Sequence, residues 1–217
     1  MNQDGISKRR PAGRRGRAAA ALSGALVAAL VIVTTPLTAG ASPAWSISAS
    51  PNRDSNRSYL SAIACASASS CTAVGFALYG IVQRTLIESW DGSAWKVVAS
   101  PNNGAKNNVL RAAACVSISS CTAVGQYDTG AVERTLIEYW NGSAWTVLAS
   151  PNNGTGANAL YGVSCVTASS CTAVGDYFNG TVFRTLIESW NGSTWTIATS
   201  PNNGTGYNHL SAISCVS

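Results

Sequence analysis

Residues 160–199 alternate short apolar runs with turn-forming residues. Residues 160–165, 171–177, 183–190 and 194–199 are rich in Val, Ile, Thr, Trp and Tyr, which is typical of β-strands. Asn179-Gly180 and Asn191-Gly192 separate the later runs, and Asn-Gly favours a tight type I′ hairpin turn. Residues 168–170 close the first pair of runs. The pattern therefore predicts four antiparallel strands joined by hairpins.

The same pattern recurs every 50 residues, without an insertion. Full repeats occupy residues 51–100, 101–150 and 151–200, residues 201–217 begin a fourth, and residues 44–50 match only a fourth strand. Four antiparallel strands in roughly 40–50 residues are typical of a β-propeller blade. We therefore predict an all-β domain of propeller-type blades over residues 42–217, with a β-solenoid as the alternative. The long Pro- and Gly-containing link falls between the fourth and first strands, so the first strand is expected to be innermost.

A closed propeller needs about four blades or more, so three full repeats and two partial ones predict an incomplete ring. Either the chain is a fragment of a longer repeat protein, or several copies form a homo-oligomer that closes the ring and covers the exposed blade faces. Cys215 favours the fragment, because the repeat places its partner at position 221, beyond residue 217.

The first 41 residues have the order of a secretory signal peptide. Residues 8–17 are basic, residues 18–35 are apolar and uncharged, and residues 39–41 are small. We therefore predict cleavage after Ala41, a secreted, extracellular protein and no membrane contact after cleavage. An uncleaved anchor is the alternative, but the richest apolar run, residues 22–33, is shorter than the roughly 20 residues that span a bilayer.

The net charge of +5 comes from this leader. Residues 42–217 carry eight Lys and Arg and eight Asp and Glu. A protein that neutralises phosphates needs a basic surface, so no nucleic-acid partner is expected. The chain has one histidine, which excludes a multi-histidine metal site, and we predict neither a metal nor a cofactor.

Three cysteine pairs have five residues between their members: Cys65–Cys71, Cys115–Cys121 and Cys165–Cys171. Metal-binding and redox motifs usually have shorter spacing, so we favour disulfides across the first hairpin of each repeat over metal ligation or redox exchange. Export to an oxidising compartment supports pairing. Cys215 is left as a free thiol or an intermolecular link.

Two elements of the repeat, W-[DN]-G-S-x-W-x5-S-P-N and S-S-C-T-A-V-G, resemble the secreted, tryptophan-rich β-propeller repeats of high-GC Gram-positive bacteria. The resemblance covers residues 45–217 and implies blades of the kelch or Asp-box type, but it says little about activity. Residues 89–95 are similar to the Asp-box S-x-D-x-G-x-x-W, with one residue fewer. That box has a folding role in its family, and Asn141 and Asn191 replace its aspartate in the later repeats.

Residues that recur in every repeat are expected to serve packing. The tryptophan pair of each repeat, such as Trp190 and Trp195, suits core packing, with an exposed sugar-binding platform as the alternative. An arginine and a glutamate four residues apart are expected to form an ion pair at each blade interface, with a sialidase-like grip on a carboxylate as the alternative. These pairs are Arg84/Glu88, Arg134/Glu138 and Arg184/Glu188.

His209 is the only histidine of the chain. The other repeats have Tyr59, Val109 and Ala159 at its position. Because the position accepts such different residues, no catalytic triad is predicted from it.

The turn between the second and third strands differs from repeat to repeat. It reads FALYGIVQ at 76–83, QYDTGAVE at 126–133 and DYFNGTVF at 176–183. Variable loops on a constant scaffold are where a binding site is expected. The candidate ligand-binding residues are the aromatic and acidic ones: Tyr127, Asp128, Asp176, Tyr177 and Phe178.

These observations favour a secreted, non-enzymatic binding protein whose partner is an extracellular glycan or cell-wall polymer. A fragment of a sialidase- or galactose-oxidase-like propeller enzyme is one alternative. A truncated remnant without a function of its own is the other.

Overall fold

In the computed structural model, residues 47–51 and 57–216 are described, and the predicted signal peptide lies outside them. The described residues form twelve strands and no helix, so none of them forms a helix that could cross a membrane.

The strands make three sheets. Sheet 1 has β1 (Ser58–Ser67), β2 (Ser70–Tyr79), β3 (Val82–Trp90) and β4 (Trp95–Val98). Sheet 2 has β5 (Asn108–Ser117), β6 (Ser120–Asp128), β7 (Glu133–Trp140) and β8 (Trp145–Leu148). Sheet 3 has β9 (Asn158–Thr167), β10 (Ser170–Phe178), β11 (Phe183–Trp190) and β12 (Trp195–Ala198).

Each sheet is an antiparallel meander in which the four strands are neighbours in chain order. The sheets stack face to face: β5 packs against β1, β2 and β3, and β9 packs in the same way against β5, β6 and β7. The contacts between sheets concentrate on the first strands, as expected when these strands are innermost. The predicted all-β fold of propeller-type blades is confirmed.

The hairpin loops are closed by side chains. The type I′ turn expected at Asn191-Gly192 is wrong, because Trp190 pairs with Trp195 and leaves a four-residue loop. Asn191 Oδ1 accepts hydrogen bonds from the backbone N–H groups at positions 193 (3.0 Å) and 194 (2.9 Å). Such a side-chain cap favours the longer loop. Asn179 closes the β10–β11 loop in the same way, so the second expected type I′ turn is also wrong.

The three expected disulfides are confirmed: Cys65–Cys71, Cys115–Cys121 and Cys165–Cys171. In each pair the two cysteines lie directly opposite each other on the first hairpin of a sheet. These disulfides are compatible with an extracellular location. Cys215 has no disulfide partner among the described residues.

Apolar side chains fill the space between successive sheets. Between sheets 1 and 2, Leu110, Leu136 and Trp145 pack with Val74 and Ile87, and none of these is more than 7% exposed. The second interface repeats this packing at positions 50 residues further on. The second tryptophan of each pair therefore serves the core in sheets 2 and 3. On sheet 1, within the described part of the chain, the equivalent Leu60 is 44% exposed.

A buried glutamate is hydrogen-bonded across each interface. Glu138 Oε2 lies 3.0 Å from Ser100 Oγ, which lies 2.7 Å from Thr85 Oγ1. Thr85 Oγ1 in turn donates to the carbonyl oxygen of Pro101 at 2.9 Å. Three contacts between oxygen atoms need three hydrogens, and the two hydroxyls supply two of them. The third proton therefore belongs to Glu138, and burial raises the pKa of this carboxyl to about 8.

The same arrangement recurs at the second interface. Glu188 bonds to Ser150 at 2.8 Å and Ser150 to Thr135 at 2.7 Å, and burial raises the pKa of Glu188 to about 8. On sheet 1, Ser50 donates to Glu88 at 2.7 Å, and burial raises the pKa of Glu88. Residue 50 thus occupies the place that residues 100 and 150 take in the later repeats.

The expected Arg–Glu ion pairs are wrong. Arg184 donates to the carbonyl oxygens of Gly204 (2.9 Å) and Thr205 (3.2 Å). Arg84 and Arg134 bind in the same way the crossovers that follow their own sheets, at residues 104–105 and 155–156. Residues four apart on a strand are separated by roughly 13 Å, and their side chains stand roughly perpendicular to the sheet, so they do not reach each other along the strand. The arginines therefore hold the crossovers, while the glutamates bond to serines.

Candidate ligand-binding site

A β-bulge interrupts the first strand of every sheet at the same position. In sheet 3 the register shifts between Leu160 and Gly162, so Tyr161 has no partner on β10. Arg111 and Ser61 occupy the equivalent positions in sheets 2 and 1. A bulge bends its strand and re-aims the extra side chain. The bulge position therefore carries a different residue in each sheet, in an orientation that a regular strand would not give it.

A glycine on the second strand makes room for the bulge. A Cβ on Gly175 would lie 2.0 Å from the carbonyl oxygen of Ala159, and a Cβ on Gly125 would lie 1.9 Å from that of Val109. No side chain fits at this distance from backbone. The glycine of S-S-C-T-A-V-G is thus required by the close approach of the bulged first strand to the second strand.

Asp176 follows this glycine and is only 1% exposed. Its Oδ2 lies 2.9 Å from Nδ1 of His209 and accepts a 3.1 Å hydrogen bond from the hydroxyl of Tyr207. Its Oδ1 is buried and has no hydrogen-bond partner. An unpaired buried carboxylate oxygen costs free energy. Asp176 shares this feature with Glu138 and Glu188, whose Oε1 atoms are also buried without a partner.

Five aromatic rings form a continuous line beside Asp176, here called the aromatic row: Phe178, Phe183, Tyr207, His209 and Tyr161. The successive ring centroids are 5.3, 5.6, 6.1 and 4.6 Å apart. Tyr207 is 64% exposed, so the middle of the row faces solvent. The row joins the β10–β11 turn to the segment that follows the third repeat.

The two phenols of the row remain hydrogen-bond donors at neutral pH. Burial, with the nearby Asp176 carboxylate as the second cause, raises the pKa of Tyr161 to about 12. The same two causes raise the pKa of Tyr207. Each hydroxyl therefore keeps its proton beside the carboxylate.

The preceding repeat has no such row. The equivalent positions hold Asp128, Glu133, Ala157, Ala159 and Arg111. Gln126 replaces Asp176 and accepts a 3.3 Å hydrogen bond from Nε of Arg111. The elements S-S-C-T-A-V-G and R-T-L-I-E are identical in both repeats. The side chains that differ therefore gather where the row lies, and the scaffold beneath is unchanged.

The structure divides the predicted site residues into three groups. Asp176 and Phe178 lie in or beside the aromatic row. Tyr177 and Tyr127 alternate to the other side of their strands and pack partly against the cores between sheets. Asp128 Oδ1 accepts a hydrogen bond from the backbone N–H of Gly130 at 2.7 Å and closes the β6–β7 turn.

Sequence reasoning missed four members of the row: Phe183, Tyr207, His209 and Tyr161. His209 was not chosen as a site residue because its position differs between repeats, yet such differences mark the edge of the sheet where the row lies. The glycine that faces the bulge is a second signal, since it locates the strand position whose side chain is re-aimed.

Among residues 47–51 and 57–216, no group of three or more His, Cys, Asp and Glu side chains is placed to hold a metal ion. The side chains of the site offer aromatic stacking and hydrogen bonds to Asp176, His209 and the two phenols.

No protein-family model matches the chain, and no characterised protein matches its sequence. Among solved structures the chain is similar to YCF48 bound to a D1 peptide, a β-propeller-like protein, with 10% identity and a TM-score of 0.43. The similarity covers 64% of this chain, and the chain spans 39% of the length of that one. The sheets themselves define the class: an all-β protein of propeller-type blades.

Proposed function

We propose that the protein is a secreted, non-enzymatic binding protein that holds an extracellular glycan or cell-wall polymer on the aromatic row beside Asp176. The aromatic row is the observation that carries the proposal. The equivalent positions in the two preceding repeats do not form such a row, although the strands that support them are nearly identical. A feature confined to one place on a repeated scaffold is explained by a ligand better than by packing.

The chemistry of the row suits a sugar chain. The C–H faces of sugar rings stack on aromatic faces, and their hydroxyls need nearby polar partners. Tyr207 offers an exposed ring, and the buried Asp176 fixes the hydroxyl of this ring through a 3.1 Å hydrogen bond. Tyr161 and Tyr207 supply hydroxyl groups from the same edge. Stacking and hydrogen bonding are thus available within a few ångströms of each other.

The repeated charged groups support a role without catalysis. Arg184 is occupied by crossover carbonyls, and Glu188 shares its proton with a serine inside an interface. A sialidase-like mechanism would need several arginines and a glutamate free to meet the substrate. The three disulfides are compatible with the extracellular setting that a glycan ligand requires.

The test is a glycan array followed by titration calorimetry with the strongest soluble hit. Tyr207→Ala and Phe183→Glu introduce the residues that the preceding repeat has at these positions, so the scaffold tolerates them. Each is expected to weaken binding about tenfold, the effect of losing roughly 1.4 kcal/mol of stacking. Asp176→Asn is expected to weaken it further by removing the carboxylate.

Asp91→Asn is the matched control. It makes the same chemical change on an exposed turn of sheet 1, where the later repeats already have asparagine. Its affinity should equal that of the unaltered protein. Absence of any glycan hit, or equal affinity of all variants, overturns the proposal. Turnover of aryl-glycosides by the unaltered protein overturns its non-enzymatic part.

A further inference from the structure

A second kind of concavity lies away from the aromatic row, where each sheet meets the hairpin of the next. Residues 98–101 of sheet 1 and the hairpin that carries Trp140 and Trp145 line a groove of about 340 Å³. The equivalent residues, 50 positions on, line a groove of about 330 Å³ beside Trp190 and Trp195. We call these two concavities the rim grooves. Both fall within the size range of small-ligand sites.

The indoles that line the rim grooves are fixed in place. Trp140 donates its Nε1–H to the carbonyl oxygen of Ile118 at 3.1 Å, and Trp190 donates to that of Ala168 at 3.1 Å. In each pair the two indoles pack together, 5.9 Å apart at Trp140 and 5.6 Å apart at Trp190. Because these rings are already held, a ligand loses little free energy in ordering them. Trp140 and Trp190 remain partly exposed.

The lining restricts the chemistry of an occupant. Among the described residues, no charged side chain lines either groove. Beside the indoles and the prolines, Ser143 in the first groove and Ser193 and Thr194 in the second are exposed. The two serine hydroxyls donate to Asn141 and Asn191 of their own turns and remain hydrogen-bond acceptors. An occupant therefore has an apolar face, a hydroxyl-bonding edge and no charge. An uncharged sugar ring has all three properties.

The grooves occur at the same positions of successive repeats, so the protein presents the same site twice. A small molecule gains nothing from a second copy of its site. A polymer whose own unit repeats can occupy both, and the second contact then forms at a high effective concentration. We propose that the rim grooves bind successive segments of one uncharged polysaccharide chain. This site is independent of the aromatic row, which is unique and lies beside a carboxylate.

Arginine substitutions that fill the grooves test the proposal. Ala144 and Thr194 are exposed at the groove edges, so Ala144→Arg and Thr194→Arg block one groove each without disturbing the core. Ala131→Arg adds the same side chain at an exposed position on the opposite edge of sheet 2 and is the matched control. Near-ultraviolet circular dichroism verifies that each variant is folded.

The measurement is frontal affinity chromatography, the retardation of the protein on columns that carry immobilised mannan, dextran or hydroxyethylcellulose, with alginate as the charged comparison. We expect retardation by at least one neutral polysaccharide. Each single variant should weaken binding roughly tenfold and the double variant roughly a hundredfold or more, because paired contacts reinforce each other. Ala131→Arg and Tyr207→Ala should bind like the unaltered protein, which separates this proposal from the one for the aromatic row.

Three outcomes overturn the inference. The first is no retardation by any of the neutral polysaccharides. The second is unchanged binding by the double variant. The third is stronger binding to poly-L-proline than to any polysaccharide, which would assign the grooves to an extended peptide.

Discussion

Two kinds of buried carboxylate lie in this protein, and they differ in what surrounds them. Glu138 and Glu188 recur at the interfaces between sheets, and each is joined to a serine and a threonine that complete a chain of hydrogen bonds. Asp176 occurs once, at an edge where the repeats diverge. In all three residues, Asp176, Glu138 and Glu188, one carboxyl oxygen is buried without a hydrogen-bond partner. The glutamates carry a proton and belong to the scaffold. Asp176 is held instead by the side chains of His209 and Tyr207, and Tyr207 is 64% exposed.

The difference indicates that side chains repeated in every sheet and side chains found in one sheet have different roles. A group copied into every repeat makes the same contact at every interface, as Glu138 does with Ser100 and Glu188 with Ser150. A group found once makes contacts that the other repeats lack, as Asp176 does with His209 and Tyr207. The predictions that follow separate the two kinds of position by the size of their effect on stability and by their effect on binding.

The largest effect on stability is expected at the β-bulge, where the first and second strands of a sheet approach most closely. Gly125→Ala places a Cβ within 1.9 Å of the carbonyl oxygen of Val109, so β5 and β6 must move apart. We expect a loss of about 4 kcal/mol or more in the free energy of unfolding, measured by urea denaturation. Gly206→Ala is the control, because a Cβ there meets no atom within 4 Å, and it should change the free energy by less than about 0.5 kcal/mol. Equal effects of the two substitutions would show that the close approach at the bulge is not rigid.

The next effect concerns pH. Between the ordinary glutamate pKa of 4.5 and the raised pKa of about 8, the folded protein holds protons at Glu138 and Glu188 that the unfolded chain releases. The two glutamates therefore make stability fall as the pH rises through this window.

The Glu138→Gln, Glu188→Gln double variant should flatten this part of the profile, because an amide N–H replaces the carboxyl proton as donor to the serine. Melting temperatures at pH 5, 6, 7 and 8 measure the difference between the variant and the unaltered protein. If both proteins show the same slope, the glutamates are ionised within the interfaces and the proton count given above is wrong.

A smaller effect is expected from the disulfides. Replacing both Cys115 and Cys121 by serine opens a loop with a sequence separation of six, for which the entropic contribution is about 2 kcal/mol. Urea denaturation of the unaltered and double-serine proteins measures this loss. Glycan affinity at the aromatic row should stay the same, since this disulfide belongs to sheet 2 and the row lies on sheet 3. A parallel loss of affinity would mean that sheet 2 and the row are coupled.

The smallest effect on stability is expected at Asp176. Asp176→Asn removes a buried charge and keeps an oxygen that accepts from Tyr207, so the free energy of unfolding should change by no more than about 1 kcal/mol. The same variant should lose glycan binding. A large destabilisation would instead assign Asp176 to the scaffold, together with the glutamates.

The sequence predicts most of the scaffold because the information there is local. Strands, hairpin order and disulfides follow from period, turn residues and cysteine spacing. The Arg–Glu ion pairs were mispredicted because spacing along a strand was read without the distance that four residues span. The Asn-Gly loops were mispredicted because the asparagine side chain competes with the backbone for the turn.

The candidate site was predicted only in part, since it depends on contacts between elements. Asp176 stood out as a charged residue in a variable turn, but its bond to His209 joins residues 33 positions apart and depends on how the last segment crosses sheet 3. Tyr161 is turned toward that bond by a bulge that no alternation pattern reveals. Variation between repeats locates the edge, and only the packing of sheet 3 against the last segment assembles the row.

The matching interfaces also bear on how such a gene can change. Each sheet presents to the next the same apolar set, at Leu136 and Val74 in one interface and at Leu186 and Val124 in the other. Unequal recombination between neighbouring repeats adds or removes whole coding units, and the new junction then meets residues already suited to it. The number of repeats can thus change by copying errors while the packing between sheets is kept. Point mutation, in contrast, alters the variable edge of one repeat at a time.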